Sequence, residues 1–249
     1  MSNNQVRLHS IFLGVCAGLL ASCFGSLYSV LFAFFSTSVV YLFLRKKRQE
    51  KTSILSQGIE AILVIGTFLS FLFLNNESKL LATVGGFVVL AYHTPFQFSL
   101  RRIVLLKPIA ISLCWALATV IIPFLQEEVI PIDYSVSYET VAVFVLTFYL
   151  SLLYDWRDVY HNQTDIKTIA HYYSQKQIQI FYLAAILVFF TIALFINTPI
   201  EFLICVSLAI SYGFGLSIFI ERISFLHLTW LIDGGFLFYV MLKNLVTPI

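Results

Sequence analysis

Charged side chains are scarce in this 249-residue chain, since Asp, Glu, Lys and Arg together make up only 11% of it. Hydrophobic residues make up 59%, and the mean hydropathy is +0.90. So few charges cannot cover the surface of a water-soluble globule of this size, which excludes that class of protein. The formal net charge of +2 leaves no basic surface of the kind that binds nucleic acid. The composition, with 25 Phe and 13 Tyr, is typical of an integral membrane protein.

The chain also lacks the common signatures of soluble enzymes and metal proteins. The sequence contains no GxGxxG, Walker or HExxH pattern and no nucleophile elbow. All four cysteines lie inside apolar runs, so they predict neither a disulfide framework nor a zinc site. The apolar run after Arg7 is followed at once by a second run that ends in a basic cluster. This arrangement favours a retained first span over a cleaved signal peptide.

Nine apolar stretches have about the length that a helix needs to cross the hydrocarbon core of a membrane. Gly25 and the Asn75-Asn76 pair are turn signals that separate some of them. We therefore predict an all-α fold, a single transmembrane domain over residues 1–249 built as a bundle of nine transmembrane helices. The predicted spans are 8–24, 26–45, 54–75, 79–94, 103–125, 136–154, 177–197, 199–220 and 226–246.

The distribution of basic residues predicts the orientation of the chain, because cytoplasmic loops retain Lys and Arg. With nine spans and the N-terminus inside, 13 of the 15 basic residues fall on the inner side. The other two are Lys79 and Lys243. We therefore predict a cytoplasmic N-terminus and an outer C-terminus. The same topology makes residues 155–176 a cytoplasmic connector between the sixth and seventh spans, so we expect any chemistry at the inner face.

The connector begins with a cluster of oxygen-bearing side chains. Asp155, Asp158 and Asn162 have i, i+3 and i+7 spacing, which places them within about 60° of one face if the sixth helix continues. Hard oxygen ligands of this kind suit Mg²⁺, which proteins hold by one or two carboxylates together with substrate phosphates. Ordinary surface electrostatics involving Arg157 would also explain the pattern, because membrane helices commonly end in charged residues.

These residues, followed by Lys167-Thr168, resemble the second aspartate motif of the UbiA superfamily of intramembrane prenyltransferases. The inner loop after the fourth span, with Arg101 and Arg102, is similar to the loop that brings Lys and Arg to the diphosphate in that family. The WLIDGG segment around Asp233 resembles the last helix of a divergent bacterial branch. Together with the topology, the resemblance covers most of the chain, although only the second motif is specific.

The resemblance implies an all-helical bundle in which Mg²⁺ bridges a prenyl diphosphate to aspartate motifs, and the prenyl chain is transferred to an aromatic or lipid acceptor. It implies a multi-pass protein of the bacterial inner membrane with its active side in the cytoplasm. The metal ligands would be Asp155, Asp158 and Asn162. The diphosphate ligands would be Arg101, Arg102 and Lys167.

The first aspartate motif of that family has no counterpart in this sequence. The corresponding stretch, residues 39–53, reads VVYLFLRKKRQEKTS and contains no Asp. One of the two metal sites therefore lacks its ligands. The basic run in this stretch is more typical of an anchor for anionic lipid headgroups than of a diphosphate site. The alternative function is a catalytically inactive UbiA-like protein that acts as a lipid-binding or assembly subunit.

One carboxylate, Asp233, lies inside the ninth apolar span. An ionised carboxylate in the middle of a membrane costs roughly 2.5 to 3.5 kcal/mol on insertion scales, so it needs a partner inside the bundle. We expect Asp233 either to line a cavity or to form a hydrogen bond between helices.

Overall fold

A computed structural model of the chain describes most of the sequence. The described residues are 3–45, 54–93, 103–104, 106–127, 134–160, 168–174, 200–220 and 222–246, with single positions and pairs between 176 and 191. Within these ranges the secondary structure is helical and no strand is present. The helices are α1 Asn3–Ala21, α2 Leu27–Arg45, α3 Ile54–Leu72, α4 Asn76–His93, α5 Leu106–Gln126, α6 Tyr134–Tyr160, α7 Ile169–Tyr172, α8 Ile200–Phe219 and α9 Phe225–Val246.

Four of these helices contain segments long and apolar enough to cross a membrane. These segments are Leu106–Gln126, Val136–Tyr160, Phe202–Phe219 and Phe225–Leu245. Shorter apolar segments lie in α1, α2 and α3. The prediction of an all-helical membrane protein with several spans is therefore confirmed for the described residues. The count of nine spans and the orientation stay predictions, and most of the predicted span 177–197 lies outside the described residues.

The chain divides into two compact units. Unit 1 comprises Met1–His93 and Leu113–Thr140, and unit 2 comprises Thr94–Ser112 and Val141–Ile249. The single transmembrane domain expected over residues 1–249 stays a prediction. The two acidic residues of the motif that the structure describes, Asp155 and Asp158, both belong to unit 2.

Unit 1 is built on the packing of α1 along α2 and of α2 along α3. Gly14 lets α1 approach α2 closely, because a Cβ atom at this position would come within 2.6 Å of the Phe34 backbone oxygen. An ion pair between Arg7 and Glu60, 3.4 Å apart, joins α1 to α3. Small residues and paired charges are the usual means by which membrane helices associate.

The predicted turn at Asn75-Asn76 is present and is fixed by side-chain hydrogen bonds. The Asn75 side chain caps α4 by accepting the Ser78 backbone N–H at 2.8 Å. Its amide group donates to the Leu125 carbonyl oxygen at 2.7 Å, and its backbone N–H donates to the Gln126 side chain at 2.7 Å. The start of α4 is therefore tied to the end of α5 within unit 1.

In unit 2, α8 packs along α9. Gly235 allows close packing of α9 against α6, because a Cβ atom there would lie 3.2 Å from a Leu150 methyl group. Tyr212 on α8 donates a hydrogen bond of 2.8 Å to the Leu231 carbonyl oxygen on α9. These contacts hold the start of α9 beside the last turns of α6, where the charged residues lie.

Candidate functional site

Helix α6 continues six residues beyond the predicted end of the sixth span and ends at Tyr160. Neither Gly nor Pro interrupts Tyr134–Tyr160, so the backbone has no reason to leave the helix where the hydropathy falls. The first residues of the predicted connector therefore lie on the last two turns of α6. On a helix, Asp155 and Asp158 are about 60° apart, whereas Asp155 and Arg157 are about 160° apart. Helix geometry alone therefore places the two aspartates on one side of α6, and the Arg157 side chain nevertheless reaches Asp158.

The first of these carboxylates is paired with a lysine from α5. Asp155 is fully buried, and it accepts a hydrogen bond from the Lys107 ammonium group on the first turn of α5. The Lys107 side chain is 14% exposed. Because a buried carboxylate is strongly destabilised without a partner, this pair allows the charge of Asp155 to exist inside unit 2.

Arg157 is held by groups on three of its sides. Its Nε atom donates to Asp158 Oδ1 at 2.8 Å, with a second bond from Nη2, and Nη1 donates to Thr229 Oγ1 at 2.5 Å. The guanidinium carbon lies 4.5 Å from the centre of the Tyr154 ring and 4.2 Å from that of Phe225. Stacked rings and a forked carboxylate bond suit the planar guanidinium group better than they would suit an ammonium group. Arg157 is therefore fixed in position.

The second carboxylate is the accessible one. The Asp158 side chain is 25% exposed, whereas the Arg157 side chain that binds it is 6% exposed. We refer to Lys107, Asp155, Arg157, Asp158 and Thr229 as the polar end of unit 2. In this cluster two cations compensate two carboxylates, and Asp158 is the carboxylate that a ligand in water would meet first.

Asp233 lies one helical turn beyond Thr229 on α9 and forms a hydrogen bond between helices. The Tyr154 hydroxyl group of α6 donates to its carboxylate and also lies 3.3 Å from the Thr229 carbonyl oxygen. Asp233 is fully buried and Tyr154 is half-buried. Of the two roles expected for Asp233, the structure provides the bond between helices.

A small apolar cluster supports the polar end. Leu152 on α6 packs with Ile169 on α7, and Val104 and Trp156 pack against both. The backbone N–H of Thr168 donates to His171 Nδ1 at 3.1 Å, which caps α7. The segment around Thr168, which follows the predicted diphosphate ligand Lys167, is thereby held against α6.

Four of the predicted site residues lie outside the described residues: Asn162, Arg101, Arg102 and Lys167. Their predicted roles stay predictions. The structure adds Lys107, Arg157 and Thr229, which the sequence did not predict as site residues. A signal for Lys107 existed, because a basic residue at the start of an apolar span needs an acidic partner. No sequence signal distinguishes Thr229 from the other threonines of the spans.

The carboxylates of the polar end do not fit a magnesium ion as they stand. One oxygen atom of each is already occupied by a protein cation, Lys107 for Asp155 and Arg157 for Asp158. The described residues include no group of three or more His, Cys, Asp or Glu side chains placed to hold a metal. A Mg²⁺ ion bound to both carboxylates would lie close to these two cations and would need further oxygen ligands.

These features define the class of the chain: it is a multi-pass, all-helical membrane protein with a charged cluster at one end of a helical unit. No protein-family model, curated protein or solved structure matches it.

Proposed function

We propose that the chain is a UbiA-like membrane prenyltransferase homologue that binds a prenyl or other lipid diphosphate at the polar end of unit 2 and transfers the prenyl chain to an aromatic or lipid acceptor. One observation carries this proposal: two ion pairs, Lys107 with Asp155 and Arg157 with Asp158, involve the last turns of α6, in the segment that resembles the second aspartate motif. The family assignment rests on the sequence resemblance.

The polar end has donors that suit phosphate oxygens. A lysine ammonium group has three N–H donors and an arginine guanidinium group has five. Among the described contacts, Asp155 takes one donor of Lys107, and Asp158 and Thr229 take three of Arg157. We propose that the remaining donors form charge-assisted bonds to a diphosphate. We propose Arg101, Arg102 and Lys167 as further diphosphate ligands, which would add the positive charge that the compensated cluster lacks.

We place the polar end on the cytoplasmic side of a bacterial inner membrane. Support comes from the bias of basic residues, 13 of 15 of which fall on that side in the predicted topology. If the chain is active, the resemblance assigns Mg²⁺ to Asp155, Asp158 and Asn162.

The second candidate function is that of a catalytically inactive lipid-binding or assembly subunit. The ion pairs favour it, because Lys107 and Arg157 already compensate the carboxylates that would hold the metal. The missing aspartates in residues 39–53 favour it as well. The first candidate binds a lipid diphosphate and transfers the prenyl chain, whereas the second binds a lipid or serves in assembly and transfers no chain.

The binding claim can be tested with purified protein in lipid nanodiscs. We expect saturable binding of farnesyl diphosphate, weaker binding of farnesyl monophosphate and the weakest binding of farnesol. Lys107→Met should weaken diphosphate binding, whereas Lys79→Met in unit 1 is the matched control and should not. Equal affinity for the diphosphate and the alcohol would refute the proposal. Transfer of labelled prenyl chain to a panel of hydroxylated aromatic acids, quinols and lipids then separates the two candidates.

A further inference from the structure

Each carboxylate of the polar end has a protein cation bound to one of its two oxygen atoms. The Lys107 ammonium group binds Asp155 Oδ1, and the Arg157 guanidinium group binds Asp158 Oδ1. A divalent ion bound to both carboxylates would therefore face two positive groups in direct contact with its own ligands. Like charges at such a distance repel strongly where water is scarce.

Neither cation is free to move aside at low cost. Asp155 has no exposed surface, so withdrawal of Lys107 would take a bound cation away from a buried carboxylate, which is costly. Arg157 would have to give up Asp158, Thr229 and the stacking on Tyr154 and Phe225 together. The contacts of Arg157 come from α6 and α9, so its position is built into the packing of unit 2.

We infer that Lys107 and Arg157 are built-in counter-ions that take the place of a divalent metal, so that the polar end binds the diphosphate of a lipid without Mg²⁺. This inference rests on the proposed function, because it concerns the same ligand at the same site. According to this inference, Asp158 is a positioning residue that orients Arg157 and is not a metal ligand.

The test compares the affinity for farnesyl diphosphate in buffer with Mg²⁺ and in buffer with EDTA. We expect the two dissociation constants to agree within about 2-fold. This difference in binding free energy is smaller than the difference that corresponds to a tenfold change in affinity. Lys107→Met should weaken binding in EDTA by about 10-fold or more, as expected for loss of one charge-assisted contact. Lys79→Met controls for the loss of a lysine elsewhere in the chain.

The Asp158→Asn variant separates two interpretations of Asp158, as a metal ligand or as the residue that orients Arg157, by its affinity for farnesyl diphosphate. If Asp158 holds Mg²⁺, the amide weakens binding in the presence of Mg²⁺. If Asp158 only orients Arg157, the amide oxygen still accepts from the guanidinium group and one negative charge is removed, so the affinity stays equal or rises. Glu77→Gln, an exposed acid on α4 of unit 1, is the matched control.

The outcomes separate this inference from the proposed function. Two results together would overturn the inference: the unchanged protein binds farnesyl diphosphate more than about 10-fold more weakly in EDTA, and the Asp158→Asn variant binds it more weakly in Mg²⁺. These results would leave the proposal of diphosphate binding intact. The inference would also be overturned if the Lys107→Met variant binds farnesyl diphosphate in EDTA as tightly as the unchanged protein does. If Lys107→Met does not fold, Arg157→Lys serves instead, and it too should weaken binding in EDTA. Absence of saturable binding in both buffers would refute the proposed function itself.

Discussion

The ammonium group of Lys107, on the first turn of α5, is bound to the fully buried carboxylate of Asp155 on α6. The two residues are 48 positions apart in the chain. This pair explains how a charged residue can lie in the interior of unit 2.

Removal of either partner of this pair should destabilise unit 2. Lys107→Met or Asp155→Leu alone should cost about 3 to 5 kcal/mol, because each separates one charge of a largely buried ion pair from its partner, whereas the double variant should cost much less. Unfolding by SDS in mixed micelles, followed by circular dichroism, measures the three free energies. Additive costs in the double variant would show that the two groups do not interact.

The hydrogen bond from Tyr154 to Asp233 should contribute more to stability than the bond from Tyr212 to a backbone carbonyl oxygen. Tyr154→Phe leaves a buried carboxylate without this donor, which should cost about 1 to 3 kcal/mol. Tyr212→Phe removes a neutral bond and should cost about 0.5 to 1.5 kcal/mol. The same unfolding assay compares them. A larger cost for Tyr212→Phe would contradict the assignment of Asp233 to an interhelical bond.

Close packing of α1 on α2 makes Gly14 sensitive to substitution. Gly14→Ala places a methyl group within 2.6 Å of the Phe34 backbone oxygen, so the helices must separate, at a cost of about 1 to 3 kcal/mol. Gly85 on α4 has no atom within 4 Å of the added Cβ, which makes Gly85→Ala the matched control. The free energy of unfolding in detergent should fall for the first variant and not for the second. Equal effects would mean that α1 and α2 are not in close contact.

An odd number of spans places the two termini on opposite sides of the membrane. We expect a fluorescent reporter that folds only in the cytoplasm to be active at the N-terminus and inactive at the C-terminus. A phosphatase reporter that works only outside should give the reverse result. Activity of the same reporter at both termini would refute the count of nine spans, and full inversion would refute the predicted orientation.

The apolar pattern predicted the described helices well, and the reason is physical. A membrane helix needs an uninterrupted apolar run, and the turn at Asn75-Asn76 consists of residues that cap helices, so both features can be seen in a single sequence. The end of α6 was harder to predict, because the hydropathy value of a charged residue is the same whether or not the residue forms an ion pair. Asp155 is counted as an exposed charge unless its pairing with Lys107 is known.

The same limit applies to the candidate site. The convergence of Asp155, Asp158 and Asn162 stays a prediction, because Asn162 lies outside the described residues. An electrostatic contact between Arg157 and the aspartates was the alternative interpretation of the sequence, and the structure shows it as the ion pair of Arg157 with Asp158. The contact of Arg157 with Thr229 could not be predicted, since it depends on how α9 packs beside α6. The sequence predicts that Asp233 needs a hydrogen-bond partner. It does not identify Tyr154 as that partner, because several hydroxyl groups in the spans could form the bond.

The most direct test of diphosphate binding at the polar end is photoaffinity labelling. The probe is a farnesyl diphosphate analogue whose photoreactive group lies next to the diphosphate, and mass spectrometry locates the label. We predict labelled peptides around Lys107, at the end of α6 and at the start of α9, and we predict that excess farnesyl diphosphate prevents the labelling. Label confined to unit 1, or label that excess farnesyl diphosphate does not reduce, would contradict the proposed site.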